Sequence, residues 1–195
     1  MNETTEIEAL LPLVERLGGR DWTDVGAAFK ALIAAGEAGR AAVRQGLENP
    51  RPRVRVACAD FYDHLGRDED VPVLCDLLGD PVPSVRRQAV HSLACQRCKP
   101  APLQADLTET LIGLALHDPV PRVRREAVYG LGNRAPDPRI VAALERVVAA
   151  DANLKVVREA RSALERLSPA HRQAAVGAAK ARQRAPLSPQ ERLLP

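Results

Sequence analysis

The sequence has few aromatic residues and no long apolar run. Aromatic side chains make up 3% of its 195 residues, with one tryptophan, two tyrosines and two phenylalanines. Alanine, leucine and valine must therefore fill the core, and helices with such small side chains can pack closely. Because no stretch of 18 apolar residues exists, the sequence predicts no membrane-spanning helix.

Sequence signatures of catalysis are also missing. The chain has no nucleophile elbow, P-loop, dinucleotide-binding glycine fingerprint or HExxH zinc motif. Asp60 and Asp63 form a pair of carboxylates, but this spacing is ordinary on a helix. The sequence therefore predicts a protein that is not an enzyme and has no cofactor.

Charge and cysteine usage set further limits. The formal net charge of +3 is too small to indicate a nucleic-acid partner by itself. Lysine and arginine outnumber acids by five to one from residue 169 onward, which makes this segment basic. Four cysteines without a secretory signal favour reduced thiols in the cytoplasm. The Ala/Arg-rich composition is typical of a GC-rich bacterial source.

What the sequence does contain is a repeated motif. Residues 118–131 read DPVPRVRREAVYGL, and residues 80–93 read DPVPSVRRQAVHSL. Looser copies begin at Asn49 and Asp151. Each copy predicts a turn with prolines that leads into an amphipathic helix, and a repeat of this length is typical of a helical solenoid.

The copies align position by position, at spacings of 31, 38 and 33 residues. Three sets of apolar residues correspond, and they recur at i, i+4 and i+8 on one helical face. They are Val54, Val85, Val123 and Val156; Cys58, Ala89, Ala127 and Ala160; and Tyr62, Leu93, Leu131 and Leu164. This register predicts stacked units rather than a globular bundle.

The motif resembles the second helix of a HEAT repeat, of the short HEAT-like kind also found in phycobilin lyases. The resemblance implies an all-α fold, a right-handed α-solenoid of about five two-helix repeats with a terminal capping helix. We expect residues 1–185 to form this single domain and 186–195 to form a tail. The resemblance is specific for the fold and nearly silent on function.

Apolar periodicity and the positions of glycine and proline predict eleven helices, short loops and no strand. The predicted helices are 4–17, 22–35, 37–47, 53–65, 69–78, 83–95, 103–116, 121–132, 138–149, 154–167 and 169–183.

The resemblance also implies a role for the recurrent charged residues. In HEAT repeats of this kind, an aspartate before the helix and an arginine in its first turn form an Asp–Arg ladder between neighbouring repeats. The aspartate position is occupied by Asp80 and Asp118, and the arginine position by Arg86 and Arg124. We therefore expect Arg55, Arg86 and Arg124 to stabilise the fold rather than to bind a ligand.

Other polar residues face away from the apolar stripe. In a HEAT solenoid the second helices line the concave surface, so these residues would form rows along a basic groove. The predicted groove residues are Arg53, Arg87, His91, Arg122, Arg125, Tyr129, Lys155 and Arg158. A solvated helix face is the plain alternative.

Three functions fit this groove. The preferred hypothesis is a non-catalytic adaptor whose basic groove binds a partner protein of acidic character. The second is a nucleic-acid-binding protein that uses the same groove and the basic C-terminal segment. The third is an enzyme resembling phycobilin lyases or HEAT-like DNA glycosylases, although the Trp-rich groove of those glycosylases is missing and Trp22 is the only tryptophan.

One CxxC motif, formed by Cys95 and Cys98, raises the question of a metal site. His91 lies one turn before Cys95, and His64 occupies the repeat position equivalent to Cys95. Zinc accepts such nitrogen and sulfur ligands. Because a second CxxC is absent, the sequence predicts no metal site, while binding by the two cysteines with His91 or His64 stays open.

Overall fold

The computed structural model describes residues 2–169, which form ten α-helices and no strand. The bounds are α1 Glu3–Leu17, α2 Trp22–Ala34, α3 Gly36–Gly46, α4 Pro52–Leu65, α5 Val71–Asp76, α6 Pro83–Ala94, α7 Thr108–His117, α8 Pro121–Gly132, α9 Pro138–Ala150 and α10 Leu154–Leu167. The predicted helix 169–183, apart from residue 169, and the predicted tail 186–195 lie outside the described residues. No described helix is both long and apolar enough to cross a membrane.

The helices stack in pairs. The second helices α4, α6, α8 and α10 pack side by side in chain order, while α5, α7 and α9 pack against the second helix of their own pair. Small residues permit a close approach: a Cβ atom on Gly130 would lie only 2.6 Å from the Cβ of Ala94 on the neighbouring helix α6. This arrangement is an α-solenoid, which confirms the predicted fold class.

The predicted apolar stripe forms the core. The four valines and the next set, one cysteine and three alanines, are fully buried. The third set is buried at Tyr62, Leu93 and Leu131, whereas Leu164 is only partly buried. The register read from the sequence therefore holds along the array and weakens only in the last described helix.

The Asp–Arg ladder implied by the resemblance is present. In its central rung, Arg86 donates from Nε to Asp118 at 2.8 Å and from Nη2 at 3.1 Å, across neighbouring repeats. Arg86 also donates to the carbonyl oxygen of Asp80 at 2.9 Å, at the start of its own repeat. Asp118 in turn accepts the backbone N–H of Val120 at 2.8 Å. Each rung thus fixes a turn and joins two repeats.

Two further rungs repeat this geometry. Arg55 binds Asp80 at 2.7 and 2.9 Å, and Arg124 binds Asp151 at 2.7 and 2.8 Å. At the N-terminal end, Asn49 takes the place of aspartate. It accepts the N–H of Arg51 at 2.9 Å, and both side chains contact Glu15 of α1.

Two predicted elements differ from the structure. Helix α7 begins at Thr108 instead of 103, and the N–H groups of Gln104 and Ala105 donate to Asp68 at 2.7 and 3.3 Å. Asp106 then accepts the Thr108 N–H at 2.9 Å and starts the helix. Residues 95–107 consequently form a long irregular connection, so the expectation of short loops throughout was wrong.

The predicted helix 69–78 is the second difference. The chain forms a 3-10 turn at Asp68–Asp70, the short helix α5 and another 3-10 turn at Leu77–Gly79. Buried Asp70 holds this segment by accepting the N–H of Arg67 at 2.8 Å and by pairing with Arg40 of α3. These side-chain bonds fix the first 3-10 turn and join it to α3.

The ladder predicts a pH dependence of stability. In the last rung, the hydrogen bonds that Arg124 donates to Asp151 hold the pKa of that carboxyl below its usual range, against the opposing effect of burial. A lowered folded-state pKa adds stability that is complete above the unfolded pKa of about 3.9 and is lost as the pH falls through the folded value. We expect Arg124→Met to destabilise the protein most at neutral pH, with a difference from the parent that shrinks below about pH 4.

Urea unfolding of both proteins at a series of pH values measures this difference. A gap between parent and variant that stays constant from neutral pH to strongly acidic pH would contradict the assigned role of Asp151.

Candidate partner-binding cleft

Three second helices present the same two positions to solvent near their N-termini. Because Val85, Val123 and Val156 are buried, the residue just before each valine and the residue two after it point away from the core. Prolines at the starts of α6 and α8 and the Asn153 cap of α10 hold these helix ends in equivalent places. The two outward positions therefore form rows across the array.

Five of these six residues, all except Arg158, border a cleft of about 920 Å³. The side chains around it come from the first turns of α6, α8 and α10 and from the turns before α8 and α10. They are Ser84, Arg87, Val120, Pro121, Arg122, Arg125, Ala152, Asn153, Leu154 and Lys155. We call this the cationic cleft, because four of its side chains are lysine or arginine.

The cations of the cleft are largely free of acidic partners. Arg122, Arg125 and Lys155 are exposed and form no side-chain ion pair within residues 2–169. Arg87 lies 3.5 Å from Glu126, with 41% of its side chain exposed. Only one of the four cations therefore has an acidic partner among the described residues, and the cleft keeps a net positive charge.

Three of the other predicted groove residues lie elsewhere. Arg53 is exposed at the N-terminal side of the array and donates to the carbonyl oxygen of Gly19 at 2.9 Å. Arg158 is exposed on α10 but does not line the cleft. Tyr129 is 39% exposed, and the guanidinium of Arg166 lies 5.7 Å from the centre of its ring.

His91 is the eighth predicted residue, and it is held in an acidic cluster instead of lining the cleft. Its Nε2 lies 3.4 Å from an oxygen of buried Asp63, and its Nδ1 lies 2.9 Å from an oxygen of Glu126. Hydrogen bonding to Asp63 and then to Glu126 raises the pKa of His91 to about 10. These carboxylates therefore hold the imidazole outside the cationic cleft.

The CxxC motif lies at the end of α6, beside this cluster. The Sγ atoms of Cys95 and Cys98 are 3.0 Å apart. Burial raises the pKa of the Cys95 thiol, but hydrogen bonds from Cys98 and from backbone N–H groups outweigh it and lower the value. The bond to Cys95 raises the pKa of Cys98 to about 12. Asp63, rather than His64, completes the group of potential ligands around the two cysteines.

Two features of these sites were missed by sequence reasoning. Leu154 is 70% exposed at the edge of the cleft. Its apolar side chain, just before the buried stripe of α10, gave no sequence signal that it would be exposed. Asp63 is buried at the repeat position held by Ala94 and Gly132 in the following repeats. A carboxylate at a position of small residues was the available signal for the cluster.

Comparison with known proteins supports the fold. A family model for HEAT repeats matches residues 10–94 and 80–165. A search of curated proteins found no significant match.

Several solved structures are similar to this chain. The complex of CpcE and CpcF of phycocyanin lyase from Nostoc sp. PCC7120 matches with a TM-score of 0.63 and 21% identity, over 80% of this chain and 98% of that chain. An engineered protein matches with a TM-score of 0.52 and 25% identity, over 93% and 82%. A designed armadillo repeat protein in complex with the peptide (KR)4 has a TM-score of 0.49 and 19% identity, over 83% and 82%.

Proposed function

The chain belongs to the family of HEAT-repeat proteins, and from this premise we propose that it is a non-catalytic scaffold that binds an acidic segment of a partner protein. The observation that carries the proposal is the cationic cleft, where the three second helices α6, α8 and α10 place four cations around one concavity. Repeat arrays use such extended surfaces for binding, because each repeat contributes one more set of side chains.

The distribution of arginine supports this choice. Three arginines, Arg55, Arg86 and Arg124, are paired with aspartate in the ladder. Arg122 and Arg125 have no such partner within the described chain, and they line the same cleft as Lys155. Cations left without acids on a surface favour an anionic ligand, and arginine binds carboxylates in a bidentate geometry.

The helix ends and apolar side chains refine the ligand. The N-termini of α8 and α10 border the cleft, where the helix dipole favours negative charge. Leu154 and Val120 add apolar surface beside the cations. We therefore propose a ligand that combines carboxylates with at least one apolar side chain.

The width of the site sets the length of that ligand. Packed helices lie roughly 8–10 Å apart, so the three first turns span roughly 20 Å. An extended peptide advances roughly 3.3 Å per residue, so about six residues would cross the cleft.

The chemistry of the lining favours binding over catalysis. None of the side chains that form the cleft is a carboxylate, an imidazole or a thiol, so Ser84 has no general base beside it in the lining that could activate it as a nucleophile. The free thiols of all four cysteines support a reducing cytoplasm as the setting.

The test is binding of a fluorescein-labelled eight-residue peptide of glutamate and leucine, measured by fluorescence anisotropy. We expect the double variant Arg122→Glu/Arg125→Glu to bind about 100-fold more weakly, since each lost contact is assigned roughly a tenfold effect, or about 1.4 kcal/mol. Higher salt should weaken binding to the parent protein, because the contacts are exposed to solvent. Both substituted residues are exposed, so thermal stability should change little.

The matched control is Lys30→Glu/Arg146→Glu, which makes the same change in charge at exposed positions on α2 and α9, outside the cleft. An equal loss of binding in both double variants, or no loss in either, would overturn the proposal. Duplex and single-stranded DNA are measured in parallel. Cleft-dependent binding of DNA without binding of the peptide would replace the proposal with the nucleic-acid hypothesis.

A further inference from the structure

Four potential metal ligands converge where α6 ends and the long connection 95–107 begins. They are Asp63, His91, Cys95 and Cys98, and one ligand atom from each lies within 4.8 Å of all the others. We call them the Cys–His–Asp cluster and propose that this cluster binds one zinc ion. The cleft and its partner play no part in this inference.

The ligand types match zinc. Zinc takes thiolate, imidazole and carboxylate ligands in tetrahedral four-coordination, whereas magnesium and calcium require oxygen ligands. The two Sγ atoms at 3.0 Å are too far apart for a disulfide bond of about 2.05 Å. They are closer than the roughly 3.8 Å between sulfurs that are each about 2.3 Å from a tetrahedral zinc ion. Movement of exposed Cys98, which lies in the irregular connection, would open this distance.

His91 is oriented as a zinc ligand. Its Nδ1 lies 2.9 Å from Glu126, so Nε2 faces the cluster, 3.4 Å from an oxygen of Asp63. A carboxylate on the far nitrogen is the usual outer partner of a zinc-bound histidine, because it fixes the ring and its tautomer. Glu126 belongs to α8, so the neighbouring repeat would support the ligand.

A buried lysine balances the charge. The side chain of Lys99 is fully buried, and its Nζ lies 3.5 Å from Asp63 and 3.2 Å from the carbonyl oxygen of Cys95. Zinc binding would displace the protons of both thiols and the Nε2 proton of His91. Two thiolates and two carboxylates would then face one zinc ion and one ammonium group, which leaves a single negative charge. A partly buried cluster with this small net charge is less costly than one with several uncompensated charges.

The site would fasten the long connection to the array. Asp63 lies on α4, His91 on α6, and both cysteines lie at the start of residues 95–107. The described residues contain no buried side-chain nitrogen or oxygen without a hydrogen-bond partner, so no such atom requires the ion as its partner. Zinc would instead restrict the connection that carries Cys98 and Lys99.

The test starts with protein expressed with zinc and purified under reducing conditions without chelator. We expect metal analysis to find one zinc ion per chain, and Cys95→Ser/Cys98→Ser to contain none. After replacement by cobalt, the parent should show thiolate-to-cobalt charge-transfer absorption and the intense visible bands of a tetrahedral centre. The double variant should lose both signals.

Two controls separate metal loss from misfolding. Cys75→Ser/His64→Ala removes one thiol and one imidazole outside the cluster and should retain the zinc ion. Circular dichroism should show the same helix content in both double variants. Metal-free parent protein after reduction and zinc exposure, equal zinc in the two double variants, or a Cys95–Cys98 disulfide that excludes zinc would each overturn the proposal.

Discussion

Arg86→Met is expected to lower the free energy of unfolding by about 3–5 kcal/mol. The side chains of Arg86 and Asp118 are 11% and 3% exposed, so removal of the guanidinium leaves a buried carboxylate without its partner. That cost exceeds the modest net contribution of the ion pair itself, because the desolvated charge is no longer compensated. Urea unfolding followed by circular dichroism measures the change.

Two variants test this explanation. Arg86→Met/Asp118→Asn removes the uncompensated charge but keeps an oxygen for the N–H of Val120, so it should recover much of the lost stability. Arg139→Met removes an arginine that is half exposed beside three acids, and it should cost less than about 1 kcal/mol. Equal losses from Arg86→Met and Arg139→Met would show that the ladder contributes no more than a surface pair.

Tyr62→Ala is expected to cost about 3–5 kcal/mol, as for other large buried aromatic side chains. Tyr62 is 1% exposed, packs edge-to-face on Phe61 at 5.7 Å and donates its hydroxyl to the carbonyl oxygen of Arg40 at 3.1 Å. Truncation would leave a cavity between α4 and α3 and would remove the hydrogen bond to the carbonyl oxygen of Arg40. Urea unfolding again provides the measurement.

The protein contains its own control for this variant. Its other tyrosine, Tyr129, is 39% exposed, and Tyr129→Ala should cost less than about 1 kcal/mol. Tyr62→Phe removes only the hydroxyl and should cost about 1 kcal/mol. If Tyr129→Ala lowered the free energy of unfolding as much as Tyr62→Ala, the assignment of Tyr62 to the main core would be wrong.

The repeated features could be predicted because each of them occurs several times in the sequence. Val85, Val123 and Val156 are equivalent in both sequence and structure, and a buried stripe has the same period wherever it occurs. The resemblance added the partners of Arg86 and Arg124, which no periodicity identifies. Repetition thus made the core and the ladder readable without coordinates.

Features that occur once were harder to predict. The connection 95–107 has no second copy, and its backbone is set by Asp68, a residue distant in sequence. The zinc proposal likewise depends on Asp63 meeting two cysteines from the next repeat. Such contacts result from the stacking itself, so a single helical wheel cannot show them.

The same limit explains the groove. The wheel identified the outward face, and Arg87, Arg122, Arg125 and Lys155 do line one cleft. It could not show that His91 is held by acids from α4 and α8. A wheel gives the direction of a side chain, but the neighbouring helices decide which side chains stay available.

The ladder also limits how this array can grow by duplication. Each rung runs from an arginine on one second helix to an aspartate before the next, so a new repeat must find both groups at its boundaries. A copy inserted between α6 and α8 would find them. The α10 position that corresponds to Arg124 is Val157, which is buried and offers no guanidinium. A copy placed after α10 would therefore bury an unmatched carboxylate unless Val157 were first replaced by arginine.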